Sequence, residues 1–178
     1  MGFNALETFF TSYGKYYLGI DEATGSFILG FVALGFLIFS LPAGFIGARL
    51  GRKRTMSLGL VAIIALILIA MNLQLKFQGA QLVLAFEAVF FFAGFTWALV
   101  NVNSLPTVVD MTTYEKLGTY TGLYYFASQT ASTIAPPLAG LFIDIASYYI
   151  LFPYSIAFFA LSALTLQLVK RGEPRKGY

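Results

Sequence analysis

Two glutamates, Glu7 and Glu87, stand inside long apolar stretches of the sequence. The sequence contains no cysteine and no histidine, so carboxylates are the side chains best able to exchange a proton near neutral pH. A carboxylate at mid-membrane costs about 3 kcal/mol and usually faces a cavity or a partner. Burial favours the neutral form, so such a group could bind and release a proton as its surroundings dry and wet. The alternative for both glutamates is that each lies close enough to a surface to reach water.

Polar and aromatic residues recur at helical spacing around these glutamates, so three stripes are predicted. The first is Asn4, Glu7, Thr11 and Gly14; the second is Glu87, Phe91, Gly94, Ala98 and Asn101, with Trp97 on its flank; the third is Tyr125, Gln129, Ser132 and Pro136. Amides bond to hydroxyl groups and an aromatic ring covers the apolar side of a pyranose, so these faces could hold a sugar. The alternatives are helix packing, interhelical hydrogen bonds and lipid contact. The candidate solute-binding residues are Asn4, Glu7, Thr11, Trp97, Asn101, Tyr125 and Gln129, and the candidate proton-coupling residues are Glu7 and Glu87.

The composition indicates an all-α protein of the lipid bilayer. Hydrophobic residues make up 58% and charged residues 11%, against about 25% charged in soluble domains. The net charge of +3 comes from basic residues at span ends, so no nucleic-acid partner is expected. The missing cysteine and histidine exclude disulfides, thiolate zinc sites and the common nucleophile pairs, so neither a metal, a cofactor nor an enzyme activity is expected.

Uncharged runs divide the chain into spans of one transmembrane domain over residues 1–178. About 20 apolar residues cross the hydrocarbon core. The predicted complete spans are 24–47, 55–75, 81–103, 119–143 and 148–169, preceded by a partial span at 1–19. Residues 15–22 are expected to form a loop, and Pro106 is expected to end or bend the fourth helix.

The short loop between the second and third helices carries four basic residues. Such loops stay on the cytoplasmic side, so we expect this loop and the C-terminus to face the cytoplasm of a plasma (inner) membrane. Nine of the eleven basic residues then fall inside, with Lys15 and Lys76 outside; the nine are Arg49, Arg52, Lys53, Arg54, Lys116, Lys170, Arg171, Arg175 and Lys176.

Two stretches of the sequence are similar to motifs of one family, the major facilitator superfamily. Gly44, Arg49, Gly51, Arg52 and Lys53 stand at the positions of its loop signature, with Ala48 at the acidic position. The second stretch resembles the loop before helix eleven of the glycoside–pentoside–hexuronide and sucrose-symporter branch. It comprises Pro106 to Asp110, Tyr114 to Gly118 and Gly122 to Tyr125, with Thr119, Tyr120 and Thr121 where basic residues are usual.

The resemblance implies a polytopic bundle corresponding to helices seven to twelve, the C-terminal half of the major facilitator fold, with the first helix cut short. It implies that the third and sixth helices are peripheral and that solute is held near the midplane between two halves. Candidate gate residues at the cytoplasmic end are Gly44, Arg49, Gly51, Arg52 and Asp110. Arg49 and Arg52 could pair with carboxylates or helix C-termini there; the alternative is that the loop is basic only to set topology.

The expected function is secondary active transport. The resemblance favours symport of a sugar or glycoside with a proton, and sodium is the alternative coupling ion. Expected partners are the lipid bilayer, a sugar, the coupling cation, and the missing N-terminal half or a second copy of the chain. The alternative is a small non-transporting membrane protein, such as an assembly or regulatory subunit.

Overall fold

The computed structural model describes residues 1–170 and Gly172. In this part of the chain the architecture is all-helical, with short 3₁₀ turns at Leu73–Leu75, Tyr114–Lys116 and Tyr148–Ile150. The α-helices are α1 (Gly2–Tyr13), α2 (Glu22–Leu50), α3 (Arg52–Asn72), α4 (Gly79–Asp110), α5 (Leu117–Ala146) and α6 (Leu151–Gln167). The predicted basic residues Arg171, Arg175 and Lys176 lie outside the described residues.

The connection between α1 and α2 is shorter than the loop predicted at residues 15–22. After α1 the backbone continues as a π-helix over Gly14–Leu18, and Gly19 then reverses the chain with a φ of 70° that favours glycine. Asp21 caps α2, because its carboxylate accepts a hydrogen bond from the Thr24 backbone N–H at 3.0 Å. Hydrogen bonds from Thr24 lower the pKa of Asp21.

Pro106 was expected to end or bend the fourth helix, and it does not end it. Helix α4 runs through Pro106 to Asp110. A proline removes one N–H from the helix, and nearby hydroxyl groups can keep the local carbonyl groups bonded. Here Ser104 Oγ donates to the Asn101 carbonyl at 2.8 Å and Thr107 Oγ1 donates to the Asn103 carbonyl at 2.7 Å. The helix continues past Pro106 to Asp110, the charged residue that ends it.

Among the residues that the structure describes, four segments are long and apolar enough to cross a membrane: Glu22–Leu50, Arg52–Leu75, Gly79–Asp110 and Tyr148–Gln167. Helix α5 is 30 residues long, but its first half carries tyrosine, serine and threonine side chains that make it less apolar. Large apolar side chains such as Leu37, Leu41 and Phe126 are exposed, as expected for contact with lipid. The chain is an integral membrane protein.

The backbones of α2 and α4 approach each other closely along the most extensive helix contact of the bundle. A Cβ atom added at Gly35 would overlap the Phe91 carbonyl oxygen, and one added at Gly94 would overlap the Val32 carbonyl oxygen. Small residues permit this approach in membrane helices. The predicted stripe on α4 is therefore corrected: its middle, with Gly94 and the buried Ala98, packs against α2.

The remaining helices surround this pair unequally. Helices α3 and α6 pack together on one flank and α1 packs on α6, around the fully buried Phe10, Phe86 and Phe152. Helix α5 touches α1, α4 and α6 only lightly, and its buried residues are the small Ala135 and Ala139 and the larger Ile143. The first half of α5 is therefore the least packed part of the bundle.

Candidate functional site

An ion pair joins α3 and α4 at one end of the bundle. Arg52, the first residue of α3, places Nη1 2.5 Å from Oδ2 of Asp110, the last residue of α4. The two side chains are 20% and 31% exposed. A helix C-terminus disfavours a negative charge, so the guanidinium offsets an unfavourable position of Asp110. Two of the predicted gate residues are thus in direct contact.

Lys53 binds the C-terminal end of α6 close to this ion pair. Its Nζ donates to the backbone carbonyls of Gln167 at 2.8 Å and Val169 at 2.7 Å. A cation at the last carbonyl groups of a helix satisfies them and complements the dipole. Arg49 and Arg52 were the residues expected to reach a carboxylate or a helix C-terminus; at the end of α6 it is Lys53 that does so, and the exposed Arg49 stays on the last turn of α2. We call this region, with Arg52, Lys53, Asp110 and Gln167, the basic end.

The two predicted gate glycines have different roles. Gly51 separates α2 from α3 with a φ of 93°, so it makes the turn that brings Arg52 to the basic end. A Cβ atom added at Gly44 would meet Val102 Cγ1 at 3.6 Å, an ordinary contact. The close approach lies one turn further along the helix, at Gly47.

Asn103 is a site residue that the sequence reasoning missed. Its side chain is 2% exposed, and its Nδ2 donates to the carbonyls of Ala43 and Leu99 at 3.0 Å each. Its amide lies so close to Gly47 that an added Cβ would overlap Oδ1. The sequence offered one signal for this contact, an amide within an apolar span together with the small residues of α2. Asn103 ties α2 to α4 just inside the basic end.

Hydroxyl and amide groups connect α5 to its neighbours. Asn4 Nδ2 donates to Ser132 Oγ at 3.2 Å, between α1 and α5. Ser104 Oγ and Tyr124 Oη share a hydrogen bond of 2.7 Å between α4 and α5. Two predicted stripes therefore meet, those of Asn4 and of Ser132.

A cavity of about 530 Å³ lies between α1, α2, α3, α4 and α6. Glu7 and Trp97 line it, together with apolar residues such as Phe3 and Phe36. The Trp97 ring stacks on Phe3 with centroids 4.3 Å apart and meets the Phe159 ring edge-on at 6.2 Å. Helices α3 and α6, expected at the periphery, also contribute to this lining.

The other predicted solute-binding residues lie elsewhere. Tyr125 and Gln129 line a separate shallow depression on α5. Thr11 lies against α2, where its Cα would be 3.3 Å from a Cβ added at Gly25. Asn101 is exposed on α4. The structure thus groups Glu7 with Trp97 and leaves Tyr125 with Gln129.

Of the two predicted coupling carboxylates, Glu7 is exposed at the cavity and Glu87 is half-buried on α4. Within residues 1–170, neither one forms an ion pair; the pairs found there are Arg52 with Asp110 and Lys15 with Glu22. A cation would be attracted to either carboxylate.

The apolar helices and the basic loop agree with the comparison to known families. The family model described as Major Facilitator Superfamily matches residues 1–177, so the chain belongs to this superfamily and the predicted family is confirmed. The chain is also similar to monocarboxylate transporter 7 of Homo sapiens, with 31% identity over 157 residues. That match covers 86% of this chain and 29% of the relative, so the chain spans less than a third of the relative's length.

Proposed function

We propose that this chain is the C-terminal six-helix part of a secondary transporter that moves a small solute by alternating access. The observation that carries the proposal is the Arg52–Asp110 ion pair at the basic end. It joins the turn after α2 to the end of α4, and bonds of this kind can be broken and remade between two states. The proposal places the basic end in the cytoplasm of a plasma (inner) membrane, because most basic residues gather there. A further six-helix half or a second copy of the chain would complete the solute pathway.

The proposed solute is a sugar or glycoside carried with a proton. Amide and hydroxyl groups on α1, α4 and α5 support a polyhydroxyl solute, because they can donate and accept hydrogen bonds. Asn4, Asn101 and Gln129 are the residues that would provide them. The carboxylates Glu7 and Glu87 lack a cationic partner in residues 1–170, which suits a reversible proton site. Sodium is the alternative coupling ion.

A second candidate is a small monocarboxylate, because the human relative bears that name. The charge of the cavity argues against it in this part of the molecule. Glu7 lines the cavity together with uncharged residues, so an anionic solute would meet a like charge there. A neutral solute avoids this cost. A monocarboxylate would need either a protonated Glu7 or a cation supplied by the rest of the transporter.

The test is uptake into vesicles that carry the protein. We expect uphill accumulation of labelled sugar when an inward proton gradient is imposed. Glu87→Gln and Glu7→Gln keep the side-chain shape but cannot titrate, so at least one of them should abolish accumulation and leave sugar exchange largely intact. Asp144→Asn, at the exposed end of α5, is the matched control and should accumulate sugar normally.

The outcomes separate the candidate functions. Uphill uptake that persists in both glutamate variants would place coupling elsewhere or assign it to sodium. Accumulation of pyruvate without accumulation of sugar would replace the sugar by a monocarboxylate. Vesicles that take up neither solute, with protein that copurifies with another membrane protein, would favour the non-transporting subunit.

A further inference from the structure

The cavity between α1, α2, α3, α4 and α6 combines aromatic rings with one charge. Five rings line it, from Phe3, Phe36, Phe90, Trp97 and Phe152, and most of the remaining lining is aliphatic. Its volume of about 530 Å³ falls in the range of small-molecule sites. A site with so few polar groups suits an apolar ligand better than a polyhydroxyl one.

Glu7 is the charged residue of this lining. The residues that face the cavity from α2, α3, α4 and α6 are uncharged and do not titrate near neutral pH. Glu7 is exposed on the cavity wall and has no ion pair among residues 1–170. A carboxylate beside apolar walls is stabilised by a proton or by a bound cation.

We propose that this cavity binds a lipophilic cation, an organic ammonium or phosphonium ion with apolar substituents. The positive centre lies near Glu7 and the substituents lie against the rings, whose faces also attract cations. A neutral apolar molecule would leave the carboxylate without compensation, and an anion would be repelled. The site goes beyond sugar transport and does not depend on it.

The fluorescence of Trp97 provides the test, because it is the single tryptophan of the sequence and it lines the cavity. The protein in lipid nanodiscs is titrated with tetraphenylphosphonium at pH 8. We expect saturable quenching, and none with tetraphenylborate, which has the same shape and the opposite charge. Glu7→Gln should weaken the apparent affinity at least tenfold. Glu22→Gln is the matched control, since Glu22 pairs with Lys15 and does not line the cavity, and it should bind normally.

The wild-type protein alone covers the case in which Glu7→Gln does not fold, because quenching by the phosphonium ion and not by the borate depends on the charge of the cavity. Equal affinity of Glu7→Gln and wild type, equal quenching by the borate, or no saturable quenching would each overturn the proposal. Binding is measured here without transport, so its failure leaves the sugar-uptake experiment untouched, and the reverse also holds.

Discussion

Arg52 Nη1 lies 2.5 Å from Asp110 Oδ2, and each of the two charges stands at the helix end whose dipole disfavours it. Arg52 begins α3 and Asp110 ends α4, so the N-terminal end of one helix holds a cation and the C-terminal end of the other holds an anion. Each residue therefore depends on the other. Removing one should leave its partner in an unfavourable position.

A double-mutant cycle measures this dependence. Arg52→Ala, Asp110→Asn and the double variant are compared by thermal unfolding in detergent. Because both side chains are partly exposed, we expect a coupling free energy of about 1 kcal/mol. Arg54→Ala, on the same loop but exposed, should change stability by less than about 0.5 kcal/mol. Strictly additive single effects would show that the pair does not stabilise this state.

Lys53→Met should loosen the end of α6. The substitution keeps an apolar stem and removes the ammonium that bonds the Gln167 and Val169 carbonyls. Hydrogen bonds to a charged group contribute about 1.5 kcal/mol. A loss of about 1.4 kcal/mol in the free energy of local opening corresponds to a tenfold change in rate. The amides in the last turn of α6 should therefore exchange with deuterium roughly tenfold faster. Arg54→Met is the control. Unchanged exchange in Lys53→Met would mean that α6 ends independently of this residue.

Gly35→Ala should destabilise the bundle, because its Cβ would overlap the Phe91 carbonyl oxygen. Overpacking of a tight contact costs about 1–3 kcal/mol. Gly30→Ala, on the same helix with open space at its Cβ position, should be neutral or stabilising, since alanine favours a helix over glycine by up to about 1 kcal/mol. Melting temperatures in detergent distinguish the two. Similar melting of both variants would contradict the close contact of α2 and α4.

Gly47→Ala and Asn103→Ala should be strongly non-additive. Alone, the alanine at position 47 would overlap the Asn103 amide, and the loss of that amide removes its bonds to Ala43 and Leu99. In the double variant the small side chain at position 103 leaves room for the new methyl group. We expect the double variant to lose at least about 1 kcal/mol less stability than the sum of the two single losses. Additive losses would show that the two positions do not interact.

Much of the helical layout followed from apolar run length, because uncharged stretches of this length are typical of membrane spans. The basic loop also pointed to Arg52 and Asp110, which the structure shows in contact; their role as a gate stays a prediction. Run length does not show which face of a helix meets a neighbour. Glu87 and Asn101 shared a stripe by periodicity, but glycine at positions 35 and 94 brings α2 onto that side of α4.

Local hydrogen bonding set the other limits of the sequence reasoning. Pro106 was expected to end or bend a helix. The helix continues through it to Asp110, and the hydroxyl groups of Ser104 and Thr107 bond the carbonyls on either side of the one that loses its N–H donor. Asn103 was placed at the end of a span, and its bond to the Ala43 carbonyl was missed because that carbonyl lies on a distant segment of the chain. A single sequence does not show which residues far apart in the chain are in contact. It therefore could not show that Glu7 and Trp97 line one cavity while Tyr125 and Gln129 line a separate depression.

The polar first half of α5 has a consequence for how the protein enters the membrane. A nascent helix leaves the translocon for lipid according to the hydrophobicity of its residues, and α5 is less apolar than the segments before and after it. Two of its hydrogen-bond partners, Asn4 and Ser104, lie on helices synthesised earlier, whereas Tyr154, which donates to the Ala135 carbonyl, lies on the helix that follows. The bonds to α1 and α4 should therefore form as α5 enters and the bond to α6 last, which makes biogenesis of this bundle ordered along the chain.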